Sequence, residues 1–240
     1  MTAITALTAQ NTCGVRAIHA VPANMLVHQI DAVVEDIGVD AVKIGMLHSP
    51  EIVHAVAHAI DRHALQHVVL DPVMVATSGA VLIEHPAIAA LVLELFKRAT
   101  VITPNLDEAA LLVGRPVDSE SAMELAARQL QALGAPAVLL KGGHLSGQHV
   151  SDLLLTAGGR LHWMRASRIE TPNTHGTGCT LSSAIAAHLA LGSTLLDAVE
   201  AARQFVRAAL QAGALVRTGS GSGPLNHGHA PQSMRLNPLS

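Results

Sequence analysis

The chain has 240 residues, half of them hydrophobic and 14% charged, with 15 Lys and Arg against 18 Asp and Glu for a formal net charge of −3. That length and balance suit an α/β domain with a sizeable core and argue against disorder. Basic residues are spread along the chain, and two Phe, one Trp and no Tyr leave little to stack on bases, so a nucleic-acid interface is excluded on both counts.

Met1–Gln10 has neither a basic n-region nor an apolar h-region, and no apolar run approaches the ~20 residues that span a bilayer, so no membrane role and a cytoplasmic location are expected. Short Val/Ile/Leu/Ala runs then alternate with longer segments of helical spacing, the pattern of a mainly parallel sheet with helices on both faces. Strands are predicted at Ala3–Ala9, Ala41–Gly45, His67–Asp71, Thr100–Thr103 and Ala137–Lys141, with a hairpin of Asp152–Thr156 and Arg160–Met164 around Gly158-Gly159. Helices are predicted at Ala23–Asp36, Pro50–Ala64, Pro86–Lys97, Leu106–Val113, Ser119–Leu133, Thr177–Leu191 and Thr194–Leu215. From Thr218 onward the composition turns rich in Gly, Ser and Pro, so residues 1–217 read as one domain and 218–240 as a closing loop and loose tail.

In open α/β sheets ligands sit at the carboxyl ends of the strands. Here the strands end in Gln10-Asn11-Thr12, Gly45-Met46, Asp71-Pro72, Thr103-Pro104-Asn105 and Lys141-Gly142-Gly143-His144, which would line one rim. The sharpest segment is Asn173-Thr174-His175-Gly176-Thr177-Gly178-Cys179-Thr180 before a helical run. Its glycines permit a tight turn, and the amides opening the helix form an anion hole backed by the helix dipole. An ordinary Gly-rich turn capped by Thr177 or Thr180 is the plainer alternative; Cys179 favours the functional one, because a helix N-terminus makes thiolate available. Cys13 reads as a small apolar residue after a strand.

Asn105 and Glu108 stand three apart at a helix start, where they could hold magnesium through water or simply form a capping box, and Asp71 has a similar ambiguity. Lys141, beside two glycines, could reach a nucleotide phosphate. Neither a Walker A sequence nor G-x-G-x-x-G is present. His54 and His58, and His227 and His229, are paired without a third ligand or an H-E-x-x-H frame, so metal catalysis by His is not indicated. With two cysteines and no C-x-x-C, neither is a disulfide scaffold or a Cys-rich zinc site.

These motifs together resemble the hydroxymethylpyrimidine/phosphomethylpyrimidine kinases of thiamine biosynthesis, within the ribokinase-like fold. The resemblance runs through Thr5–Thr12, Lys43–Met46, Val69–Met74, Ser78-Gly79, Thr103–Ala109, Leu140–His144, Thr174–Thr180 and Gly221–His227. It implies a three-layer α/β/α fold, MgATP, and phosphorylation of 4-amino-5-hydroxymethyl-2-methylpyrimidine and then of its monophosphate. It implies Gln10 and Met46 on the pyrimidine, Cys179 as general base, and the amides of Gly176, Thr177 and Gly178 on the transferring phosphoryl. It further implies Asn105 and Lys141 at the nucleotide, Asp71 and Glu108 at the metal, and a homodimer. The same Cys-bearing loop is similar to that of pyridoxine/pyridoxal kinases, the alternative substrate class. Family members also carry a first interior strand and a Gly-rich substrate segment before the position of Met1. Uncovered apolar edges are therefore expected here, and a longer protein, a remnant without catalysis and a pyrimidine-binding module without turnover stand as three readings.

Overall fold

The computed structural model describes residues 1–74, 82–145 and 147–233. The chain opens on an antiparallel pair, β1 (Ala6–Asn11) and β2 (Gly14–Ala20), followed by α1 (Ala23–Asp36). The main sheet then takes its six strands in chain order: β3 (Val42–Ile44), β4 (Val68–Leu70), β5 (Val101–Ile102), β6 (Val138–Leu140), β7 (His149–Leu155) and β8 (Leu161–Ser167). The first four run parallel and the last two antiparallel.

Between the parallel strands lie α2 (Pro50–Arg62), α3 (His85–Leu95), and the pair α4 (Leu106–Val113) and α5 (Glu120–Ala132). Because the sheet grows in one direction, right-handed crossovers bring these helices to the same face. The other face is covered by α6 (Thr177–Ala190) and α7 (Leu195–Gly213). Strand alternation sorts the core accordingly. Val68, Leu70, Val138 and Leu140 pack toward α2–α5, whereas Val69, Val101 and Leu139 pack with Ile185, Leu189, Val199 and Ala202 of α6 and α7. This is the expected three-layer α/β/α arrangement, and among the described residues no helix is long and apolar enough to cross a membrane.

Local chemistry sets the boundaries. Pro50 sits in the first turn of α2, and Ser119 and Thr194 accept from Ala122 N and Asp197 N as caps of α5 and α7. Gly114 closes α4 at φ 74°. The helix expected over Pro86–Lys97 is instead α3 followed by a 3₁₀ turn at Phe96–Arg98.

The main correction concerns the N-terminus. The strand expected over Ala3–Ala9 is shifted to Ala6–Asn11 and stands outside the main sheet, paired with a strand, Gly14–Ala20, that the sequence reading lacks. The cause is a local turn: Asn11 Oδ1 accepts from Cys13 N at 2.9 Å, folding the chain back. The outer edge of β3 has no strand beside it among the described residues. It faces Met1–Ala6 across a groove of ≈ 620 Å³ whose walls include Leu26, Ile30, Ala186 and Ala190. Ser78 and Gly79 lie outside the described residues, as do 234–240.

Asp152 ties the antiparallel end of the sheet to the layer behind it. Its Oδ1 accepts from Gly142 N (2.9 Å) and its Oδ2 from Arg203 Nε of α7 (2.7 Å), while Arg203 Nη2 donates to Met164 O (2.9 Å). Removing the carboxylate strands a largely buried guanidinium. Asp152→Ala is expected to destabilise the fold by about 3 kcal/mol, measured as a lower urea midpoint. Asp152→Asn should lose less, since its amide oxygen can still accept; equal midpoints for Asp152→Ala and the parent would refute the pairing.

Candidate active site

Four chain segments converge beyond the carboxyl ends of β4, β5 and β6. Asp71 follows β4 and is 1% exposed, Thr103 follows β5 and Lys141 follows β6. Asp71 Oδ1 accepts from Lys141 Nζ at 2.7 Å and from Thr103 Oγ1 at 3.1 Å. Asp71 Oδ2 accepts from Ser182 Oγ of α6 at 3.2 Å. Glu108 of α4 brings Oε2 to 3.9 Å from the same ammonium and is itself buried. Burial pushes the Glu108 carboxyl above the ordinary glutamate range, with Lys141 opposing it. Burial also acts to lower Lys141, but the neighbouring carboxylates of Asp71 and Glu108 outweigh it and leave its pKa raised. The ammonium is therefore charged.

Asn105 and Glu108 also form the complete capping box of α4: Asn105 Oδ1 accepts from Glu108 N and Glu108 Oε2 accepts from Asn105 N, both at 2.8 Å. The capping alternative is thus realised, and the same contact turns Glu108 toward Lys141. Asn105 pairs in register with Lys141 as an isolated parallel bridge.

Above the cluster, α6 begins at Gly176, whose φ of 82° is left-handed backbone suited to glycine. No threonine caps it, so the plainer alternative of a Thr-capped turn is not realised: Thr177 Oγ1 donates to Thr174 O (2.6 Å) and Thr180 Oγ1 to Gly176 O (2.8 Å). The Thr177 amide is likewise directed to Thr174 O at 3.3 Å, because the chain turns tightly there. The first-turn amides that follow, of Gly178 and Cys179, lie where intrahelical acceptors are lacking. A Cβ on Gly178 would stand 3.1 Å from Lys141 Nζ, so the glycine lets the anion loop settle directly on the ammonium. Cys179 is exposed at the helix opening.

The segment before the loop is anchored by Asn173, whose Nδ2 donates to Gly213 O (2.7 Å) and Val216 O (2.6 Å) at the end of α7. The loop that follows α7 returns to it, with Pro224 bridging His175 and Gly221 N donating to Thr12 Oγ1 of the hairpin turn. His227 Nε2 meets Thr180 Oγ1 at 2.9 Å.

Asp71, Glu108, Lys141, Gly178 and Cys179 are thus gathered at one place. No hydrogen bond or ion pair joins Gln10 or Met46 to them. Gln10 lies within β1 rather than after it, exposed at a bulge, because the strand is shifted along the chain to Ala6–Asn11. Met46 lines the groove beside β3, where its carbonyl accepts from Thr5 Oγ1 at 2.7 Å. Ser182 was missed, since a Ser within a helical run carries no signal of its own, whereas Thr103 was placed on the rim without a role.

The phosphomethylpyrimidine kinase family model matches residues 1–226. The chain belongs to this family. It is 49% identical over 227 residues, 94% of the chain and 85% of the relative, to a hydroxymethylpyrimidine/phosphomethylpyrimidine kinase of Rhizobium meliloti. Two solved structures are similar. A phosphomethylpyrimidine kinase of Clostridium difficile, 37% identical, superposes with a TM-score of 0.74 over 86% of this chain and 84% of that one. A Bacillus subtilis pyridoxal kinase in complex with ADP, 33% identical, superposes with a TM-score of 0.86 over 95% and 86%. This family member is a kinase that takes ATP as co-substrate, and the ribokinase-like fold is common to both neighbours.

The donor set suits a hard divalent cation carried with a nucleotide. Two buried carboxyl groups face a single ammonium in the cluster. Asp71 and Glu108 offer hard oxygen donors of the kind that hold such an ion together with phosphates and water.

The raised pKa of Glu108 means that its protonated form favours the fold; that contribution is present below the ordinary glutamate range and is lost as pH rises through the raised value. Glu108→Gln keeps the cap acceptor and has no charge to bury. Its stability relative to the parent is expected to improve as pH rises from about 4 to about 7, measured by urea unfolding across that range. A difference independent of pH would contradict the buried carboxylate.

Proposed function

We propose that the protein transfers the ATP γ-phosphoryl group to the hydroxymethyl oxygen of 4-amino-5-hydroxymethyl-2-methylpyrimidine, and then phosphorylates the monophosphate to the diphosphate. The observation that carries this reading is the seating of the Gly176–Cys179 helix opening directly on the Asp71–Lys141–Glu108 cluster. Phosphoryl transfer demands positioning and charge stabilisation, and this is where the chain concentrates both.

Cys179 acts as general base, taking the proton of the substrate hydroxyl while that oxygen forms its bond to the γ-phosphorus and the bond to the ADP oxygen breaks. The amides of Gly176, Thr177 and Gly178 would receive the transferring group, that of Thr177 only on leaving Thr174 O, so Gly178 and the adjacent Cys179 amide are best placed to meet its charge. Lys141 neutralises phosphate oxygens, and Asn105 sets the approach of the nucleotide beside it. Asp71 and Glu108 would hold Mg²⁺, which supplies charge neutralisation for the phosphates when bound. Gln10 and Met46 would meet the pyrimidine from the hairpin side of the groove. The family likeness also supports a homodimer and a cytoplasmic location.

Pyridoxal is the second substrate reading, favoured by the closer superposition on a pyridoxal kinase. A panel of both alcohols with ATP separates them: the pyrimidine is expected to be turned over with the higher kcat/KM, and a preference for pyridoxal would overturn the assignment. Cys179→Ala is expected to lower kcat by about 100-fold or more while pyrimidine binding, followed by calorimetry, is retained. Unchanged turnover would remove Cys179 from the role of base.

A further inference from the structure

Ser182 is fully buried one turn into α6 and has one hydroxyl proton for three acceptors. Its Oγ lies 3.2 Å from Asp71 Oδ2, 3.0 Å from Gly178 O and 3.2 Å from Cys179 O. The two carboxylate oxygens of Asp71 are served unequally. Oδ1 receives both Lys141 and Thr103, whereas Ser182 is the side chain on Oδ2. Oδ2 also faces the anion loop, 3.9 Å from the position of a Gly178 Cβ. It is the oxygen with lone pairs left for a ligand arriving from that side.

We propose that Ser182 is a positioning residue that holds the place of the cation, donating to Asp71 Oδ2 until a divalent cation takes that oxygen and then turning its proton to the carbonyls of Gly178 and Cys179. The proposal rests on the assignment of Asp71 to the metal. A hydroxyl in a helix readily bonds back to the i−3 and i−4 carbonyls, so the second position is already built. The exchange leaves neither state with an unsatisfied buried carboxylate, and it links cation arrival to the first turn of α6, whose amides meet the phosphoryl group.

The consequence is a defect that depends on metal. In Ser182→Ala the free protein has lost the donor to Oδ2, while the cation-bound protein has lost only a back-bond within the helix. Melting is followed with AMP-PCP in EDTA and with AMP-PCP in excess Mg²⁺. In EDTA the variant is expected to melt about 4 °C below the parent. In Mg²⁺ that gap should close by more than half. Thr103→Val, which removes a donor from the oxygen that Lys141 still holds, is expected to show the same deficit in both conditions. An equal deficit for Ser182→Ala with and without Mg²⁺ would make Ser182 merely structural and overturn the inference. Mg²⁺ that shifts neither parent nor variant would instead overturn the metal assignment beneath it. Should Ser182→Ala give no cooperative melt in EDTA, Ser182→Cys, with a weak donor in the same place, is read in the same way.

Discussion

The Asp71 carboxylate is the constraint around which the rest is arranged. A charge that is 1% exposed must be matched by donors, and these come from different elements: Lys141 after β6, Thr103 after β5 and Ser182 from α6. Each bond therefore fixes a relation between elements. One joins β4 to its neighbour β5, one reaches past β5 to the end of β6, and the third crosses from the sheet to the helix α6. The loop sits where it does because Gly178 has no side chain to hold it off Lys141.

A second set of contacts holds the loop from outside. Asn173 grips the end of α7, and the segment through Pro224 and Gly221 reaches from His175 to the β1–β2 turn. A Cβ on Gly221 would lie 2.0 Å from Thr12 O and one on Gly223 2.2 Å from Asn173 Oδ1, so these glycines are required by close approach. The hairpin and the anion loop are thereby parts of one assembly, although the hairpin belongs to no layer of the main sheet.

How much of this could be read from the residues follows from the range of the forces involved. The parallel strands announce themselves because both faces are buried, so Val68-Val69-Leu70 and Val138-Leu139-Leu140 are continuous apolar runs. Helix starts are legible where the cap is local, as at Asn105, Ser119 and Thr194. The β1–β2 hairpin was not, since its strands are mostly exposed and lack alternation; the available sign was the Asn11-to-Gly14 turn. Within the site, residues at strand ends and in the Gly-rich loop were found by position along the chain. Ser182, separated from Asp71 by 111 residues, meets it only through the crossing of α6 over β4. No local pattern encodes that.

The energetics of the cluster say why it exists. Burying Asp71, Glu108 and Lys141 together removes three charges from water, and a buried ion-pair network is often matched or exceeded in stability by apolar residues of similar volume. The fold has ample apolar material to close this region, with Leu70, Ile102, Leu106 and Leu140 all within 3% of complete burial beside it. Stability alone would favour extending that core. Instead the chain places two carboxylates, an ammonium and two hydroxyls at the ends of its most buried strands and sets a helix opening on them. The arrangement makes physical sense only if the cost is offset by ligands that carry charge of both signs into the same space. On the proposed assignment a nucleotide with its cation would do so, its phosphates meeting the ammonium and helix amides and its metal the carboxylates. On that assignment ligand binding would add partners to the cluster and turn part of the binding energy into order at the reacting end of the sheet.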